Sequence, residues 1–263
     1  MRIGYCANML STQPDGTGFE HLEDIRSAGF DYVELPMVQM QNMGMDFVRD
    51  IASKLKAIGL PCETSNNFLS SAYRITGPDV NWDKLRAYLE RMLTYAELLG
   101  IDTLVVGSPG ARDVPEGFPH QRAYEQLVEF FRFLSDWLPN GMVAAIEPVC
   151  KLESNIIHTV SEGVALMRDV ARENISVLAD FFHMKNEGES PAVLSSCGKR
   201  LVHVHFSPIN PRSLPLVLDE DMKFFLTSLK NAGYDKRISI EAKAASREEM
   251  TNAYLVMREL LPL

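Results

Sequence analysis

The sequence predicts one (β/α)8 TIM barrel spanning residues 1–263, and three observations point there. Short apolar runs alternate eight times with amphipathic stretches, and no polar linker is long enough to divide the chain. The chain has 263 residues and 46% hydrophobic content, which suits one such barrel of roughly 250 residues. Four runs in the second half each end on a side chain able to bind a metal, all at the carboxyl end, where barrels of this kind carry their chemistry. A doubly wound open sheet is the alternative, but its Gly-x-Gly-x-x-Gly phosphate turn is missing.

In chain order, Arg2 to Asn8 reads as the first strand, and a Gly/Pro/Asp-rich loop over residues 11–18 follows it. A helix from Phe19 to Ala28 stops at Gly29. Tyr32 to Pro36 is the second strand, and a helix from about Asp46 to Ile58 stops at Gly59. Pro61 to Ser65 is the third strand. In the next helix Leu85, Leu89, Met92, Leu93, Ala96 and Leu99 form one apolar stripe before Gly100. Thr103 to Gly107 is the fourth strand, and the helix from Gln121 to Leu138 packs on the barrel exterior. Helices from Val160 to Ala171, Ala192 to Cys197 and Asp219 to Ala232 separate the remaining strands, and Ser246 with Glu249 forms a capping box for the last helix.

The fifth strand, Val143-Ala-Ala-Ile-Glu147, stops on Pro148, which has no N–H for a ladder. Ser176-Val-Leu-Ala-Asp180, Leu201-Val-His-Val-His205 and Arg237-Ile-Ser-Ile-Glu241 repeat the pattern. A buried carboxylate must be paired, protonated or bound to a metal. One strand-end carboxylate alone is more often a helix cap or an ion-pair partner. Four such residues on consecutive strands, pointing inward by the period of two, describe a metal cup. Three carboxylates and one imidazole favour a single Mn²⁺, Mg²⁺ or Co²⁺, with Mn²⁺ first, over a thiolate-rich zinc site. His203, two residues below His205, reads as a hydrogen-bonded core histidine. Glu34 and Glu63, at the ends of strands two and three, reach either the substrate or an ion pair inside the rim. Cys6 reads as filler, His120 and His158 as surface residues, and Trp82 and Trp137 as outward packing.

A net charge of -9 and a pI of about 5.2 disfavour nucleic acid as a partner. No segment approaches the ~20 apolar residues of a membrane span. Four scattered cysteines without a Cys-x-x-Cys pair read as reduced thiols, and the expectation is a cytoplasmic protein.

On these residues the sequence resembles the xylose-isomerase-like sugar isomerase and epimerase barrels, and within them the ketose 3-epimerases of the D-tagatose and D-psicose type. The resemblance covers the whole chain as architecture and is most specific in the second half. It implies that Glu147, Asp180, His205 and Glu241 hold one divalent metal ion. It also implies that Glu153, His183 and Arg212 contact substrate, although the tract over residues 207–211 is about one residue longer here than in the family. The implied activity is C3 epimerisation of a ketose through an ene-diolate, with Glu147 and Glu241 as the acid/base pair. The implied partners are a small sugar and further copies of the chain, as a homodimer or homotetramer. The same metal cup serves inosose-type dehydratases and hydroxypyruvate-type isomerases, which stand as the alternative. A non-catalytic sugar-binding barrel would be expected to lose ligands, and none is lost. An apurinic endonuclease on this barrel needs extra histidines at strands two to four, where the chain reads Glu34-Leu-Pro, Ser65-Asn-Asn and Gly107-Ser-Pro. Phosphorylated sugars are disfavoured, because no Gly-rich nest or Lys/Arg cluster follows strands seven and eight.

Overall fold

Eight parallel strands close on themselves in sequence order in this computed structural model. They are β1 (Arg2–Cys6), β2 (Tyr32–Pro36), β3 (Cys62–Asn66), β4 (Thr103–Val106), β5 (Val143–Ile146), β6 (Ile175–Asp180), β7 (Leu201–Phe206) and β8 (Arg237–Ile240). Ile3 of β1 pairs with Ile238 of β8, which completes the ring. The structure describes residues 1–209 and 212–261. The two residues between β7 and Arg212 that lie outside it, 210 and 211, belong to the lengthened tract noted above.

The strands are buried almost throughout because each packs outward against helices and inward against the other strands, although the inward positions of β2, β3, β7 and β8 include the polar Glu34, Thr64, His203 and Ser239. Val105, Ala145, Leu178 and Val202 form a small apolar cluster of their own, and a much larger one joins the strands to the surrounding helices. Helices Met45–Ile58, Trp82–Leu99, His120–Trp137, Val160–Val170, Glu220–Asn231 and Arg247–Leu260 supply the longest outer segments. All six residues of the predicted stripe in Trp82–Leu99 are buried, and Gly100 ends that helix at φ +83°. Trp82 and Trp137 sit on the outer helices, each beside Phe133.

Several boundaries differ from the sequence expectation for local reasons. The first strand stops at Cys6 and turns into a 3-10 segment, Ala7–Leu10. Its pairing with β2 ends there, at Cys6 with Glu34. Asp180 opens a short helix, Phe181–Asn186, ahead of the one expected over Ala192 to Cys197, because its Oδ1 accepts the Phe182 N–H at 2.7 Å. Ser246 accepts the Glu249 N–H, but the Glu249 carboxylate turns to the N–H of Ala245 and not of Ser246, so the predicted box is only half made. The complete box is Thr159 with Glu162, at the start of Val160–Val170.

Glu63 is corrected outright. It lies at the amino end of the barrel, in contact with Arg2 and 3.1 Å from Arg237, which in turn pairs with Asp102 at 2.5 Å. Glu63 is the extra residue of a register shift: Val33 pairs with Cys62 but Glu34 with Thr64. A second shift puts an extra residue, Val202, in β7, since Val177 pairs with Leu201 and Leu178 with His203. Such bulges re-aim the side chains that follow them. The bulge in β7 precedes His203 and His205. Among the described residues no helix is long and apolar enough to cross a membrane.

Candidate metal centre

Glu147 stands one residue past β5, its N–H donating to the Val106 carbonyl at 3.2 Å. Its own carbonyl accepts from the buried Arg112 at 2.7 Å, and the same guanidinium reaches the Ile157 carbonyl at 3.1 Å. Asp180 is the last residue of β6, and His205 is the fifth of the six residues of β7. Glu241 follows β8, its N–H on the Phe206 carbonyl at 3.2 Å. Each of the four offers a ligand atom, and those atoms all lie within 4.8 Å of one another. The four strand tips therefore converge as the sequence pattern requires.

The donor chemistry fits a divalent cation. Asp180 Oδ2 is buried and makes no hydrogen bond; His183 Nε2 stands 3.5 Å and Arg212 Nη2 3.7 Å from it. An orphaned carboxylate oxygen aimed into a cluster of two further carboxylates is an unusual cost unless a cation shares the space. His205 presents Nδ1 to the same space, 3.0 Å from Glu147 Oε1 and 3.3 Å from Glu241 Oε2. Gly107 makes room on the β4 side, since a Cβ there would stand 2.2 Å from Glu147 Oε2.

Beneath the cup lies a buried polar floor. Glu34 Oε1 accepts from His205 Nε2 at 2.9 Å. Its Oε2 accepts from His203 Nε2 at 2.7 Å, Thr64 Oγ1 at 2.9 Å and Ser239 Oγ at 2.6 Å. Tyr32 completes the chain by donating to Ser239 at 2.8 Å. Glu34 thus takes the inner of its two expected places, and His203 is a hydrogen-bonded core residue. Cys6 is buried beside this floor, its Sγ within 4.8 Å of a ligand atom of Glu34 and of His205.

Electrostatics follow the same layout. Burial raises the Glu34 carboxyl, but the facing His205 and His203 outweigh it and hold the group well below the usual carboxylate range. Burial lowers the His205 imidazole, but Glu34 and Glu241 outweigh that and raise it well above its ordinary value. Glu241 is likewise held low, by His205 and Arg212 against its burial.

The residues expected to touch substrate stand above the cup. Arg212 bonds Glu241 Oε2 at 2.5 Å, lies 3.9 Å from Glu153 and stacks over the Phe182 ring at 4.3 Å. Burial pulls its guanidinium down, but Glu241, Asp180 and Glu153 leave it raised and fully charged. His183 is buried, and its Nδ1 accepts the Cys150 N–H at 3.3 Å, so its proton is on Nε2, toward Asp180. Glu153 is exposed at the rim, and one of its oxygens lies within 4.8 Å of His183 and Cys150. Sequence reasoning missed Arg112 and Gly107. A basic residue in a loop and a glycine after a strand carry no signal of what they will touch.

A closed parallel barrel with three carboxylates and an imidazole gathered at its carboxyl rim defines an α/β barrel with a candidate metal centre. The model of the xylose isomerase-like TIM barrel family matches residues 22–260, and the chain belongs to that family. It is 27% identical over 206 residues to D-psicose 3-epimerase of Agrobacterium fabrum, a match covering 73% of this chain and 68% of that one. It is 26% identical over 246 residues to L-ribulose 3-epimerase of Methylomonas sp., covering 89% and 82%. The solved D-psicose 3-epimerase with D-tagatose from Clostridium cellulolyticum H10 superposes with a TM-score of 0.87 at 18% identity over the whole of both chains.

Proposed function

We propose that the protein is a divalent-metal-dependent ketose epimerase acting at C3, with Mn²⁺ the first choice of ion and Co²⁺ or Mg²⁺ the others. The observation that carries this reading is the pair Glu147 and Glu241, which flank His205 Nδ1 from strands three places apart in an eight-strand ring. A dication held by Glu147, Asp180, His205 and Glu241 would supply the charge that acidifies the C–H bond beside a ketone and stabilises the ene-diolate. A sugar lying across the cup then has one glutamate on each face. One carboxylate removes the C3 proton, the other as its acid returns a proton to the opposite face, and no net oxidation occurs. Arg212 keeps Glu241 ionised and ready as the base for one of the two epimers. His183 Nε2–H, Arg212 and Glu153 are placed to hold hydroxyls. The relatives named as 3-epimerases support this reaction over the dehydratase and hydroxypyruvate-type alternatives. A cytoplasmic address and assembly through the outer helices belong to the same reading.

The test is turnover of a panel of ketopentoses and ketohexoses in D₂O by the metal-loaded protein. Epimer formation with deuterium entering at C3 is expected, and Glu241→Gln should lower it about 10³-fold. Exchange only at a terminal carbon, loss of water from the sugar, or full activity in Glu241→Gln would each overturn the C3 reading.

A further inference from the structure

We propose that Glu34 is a positioning residue that fixes which nitrogen of His205 faces the metal. The inference rests on the metal reading of the cup and assigns a role to the buried floor under it.

An imidazole can present either nitrogen to a cation, and the proton on the other nitrogen needs an acceptor. Here Nδ1 points into the cup and Nε2 points down to Glu34 Oε1 at 2.9 Å. A carboxylate accepts and cannot donate, so it holds the proton on Nε2 and leaves Nδ1 with its lone pair toward the ion. Glu34 cannot turn away. Its other oxygen is pinned by three donors, from His203, Thr64 and Ser239, and the residue is fully buried. His203 Nδ1 has no partner, and the bond to Glu34 is made by its Nε2–H. The register shift in β7 and its counterpart in β3 fall beside these groups, bringing His203, His205 and Thr64 around one carboxylate.

This arrangement makes an isosteric change informative. In Glu34→Gln, three donors compete for the amide oxygen on one side against a single donor on the other. The amide oxygen goes to the three, and its NH₂ faces His205 Nε2. The imidazole must then accept at Nε2 and carry its proton on Nδ1, inside the cup. Thr64→Val removes one donor from the far oxygen and leaves the contact with His205 alone.

The experiment is Co²⁺ and Mn²⁺ binding by competition with a chelator for the wild-type protein and both variants, with thermal melting of each. Glu34→Gln is expected to bind about tenfold or more weakly, and Thr64→Val within about threefold of wild type whatever its loss of stability. Nitrogen-15 histidine spectra of the Zn²⁺-loaded wild type should show His205 with its proton on Nε2. Affinity within about threefold of wild type in folded Glu34→Gln, or a proton on Nδ1 in the loaded wild type, would overturn the assignment. The spectrum decides even where the variant does not fold. A wild-type protein that binds none of these ions would instead remove the metal reading itself. Neither readout depends on which sugar is turned over.

Discussion

Gly107 shows how little separates a working cup from a blocked one. Its backbone is not in the left-handed region, so alanine meets no strain there; only space is lacking. The atom in the way is the end of a flexible side chain, Glu147 Oε2, which can swing aside at small cost to the fold. Gly107→Ala should therefore shift the melting temperature by only about 2 °C while weakening metal binding and turnover at least about tenfold. Calorimetric titration beside a melting curve separates the two effects, and equal loss in both would contradict the geometry. Arg112 presents the opposite case. Burial lowers its guanidinium to about 10, which still leaves it charged at neutral pH, and it serves two buried carbonyls. Arg112→Met leaves both unsatisfied and should cost about 3 kcal/mol in urea unfolding. At this scale the sequence showed what sits at a strand end but not what a residue touches across the ring. Glu147, Asp180, His205 and Glu241 were legible because each closes an apolar run. The bond from Glu34 to His205 crosses the ring from β2 to β7, and His205 follows a register shift that no local pattern announces.

Elements long enough to show a period were legible, and of the shortest ones only some were: Leu194–Cys197 falls inside the helix expected over Ala192 to Cys197. The stripe from Leu85 to Leu99 repeats over four turns and located its helix. Met37–Met40, Pro109–Arg112 and Phe181–Asn186 have no repeat to read, yet they set the rim. Each bends the chain back just after a strand. Pro109–Arg112 carries Arg112 to Glu147, and Phe181–Asn186 carries His183 over Asp180. Caps were half legible. Ser246-x-x-Glu249 fits the pattern, but the glutamate reaches the preceding amide, whereas Thr159 and Glu162 close the full box. Thr159→Ala should accordingly lower stability by about 1 kcal/mol in urea without changing turnover. A matched loss of activity would mean that Val160–Val170 does more than support the outer wall.

Across the whole molecule, the cup behaves as a charge cluster whose value depends on pH. His205 is raised above its ordinary 6.5, so the stability it contributes to the metal-free protein is complete below that value and drains away as pH rises through the folded pKa. Glu34 and Glu241 are depressed below 4.5, so their share is present above that value and is lost as pH falls through their folded values. The chelated protein should therefore melt at a lower temperature as pH climbs above about 6.5. A dication competes with the proton for Nδ1, so its binding tightens over the same range. The gap in melting temperature between loaded and chelated protein should widen from about pH 6 to pH 9, and a constant gap would contradict the placement of His205.

The seam between β1 and β8 has a consequence for how the protein is made. Glu241 directly follows the last strand, while Glu34, which accepts from His205 Nε2, comes from the second. Arg2 and Arg237 meet on Glu63 only when both ends of the chain have come together. A polypeptide still emerging from the ribosome has most of its strands before it has its seam. Such a nascent chain should not resist proteases as the released protein does.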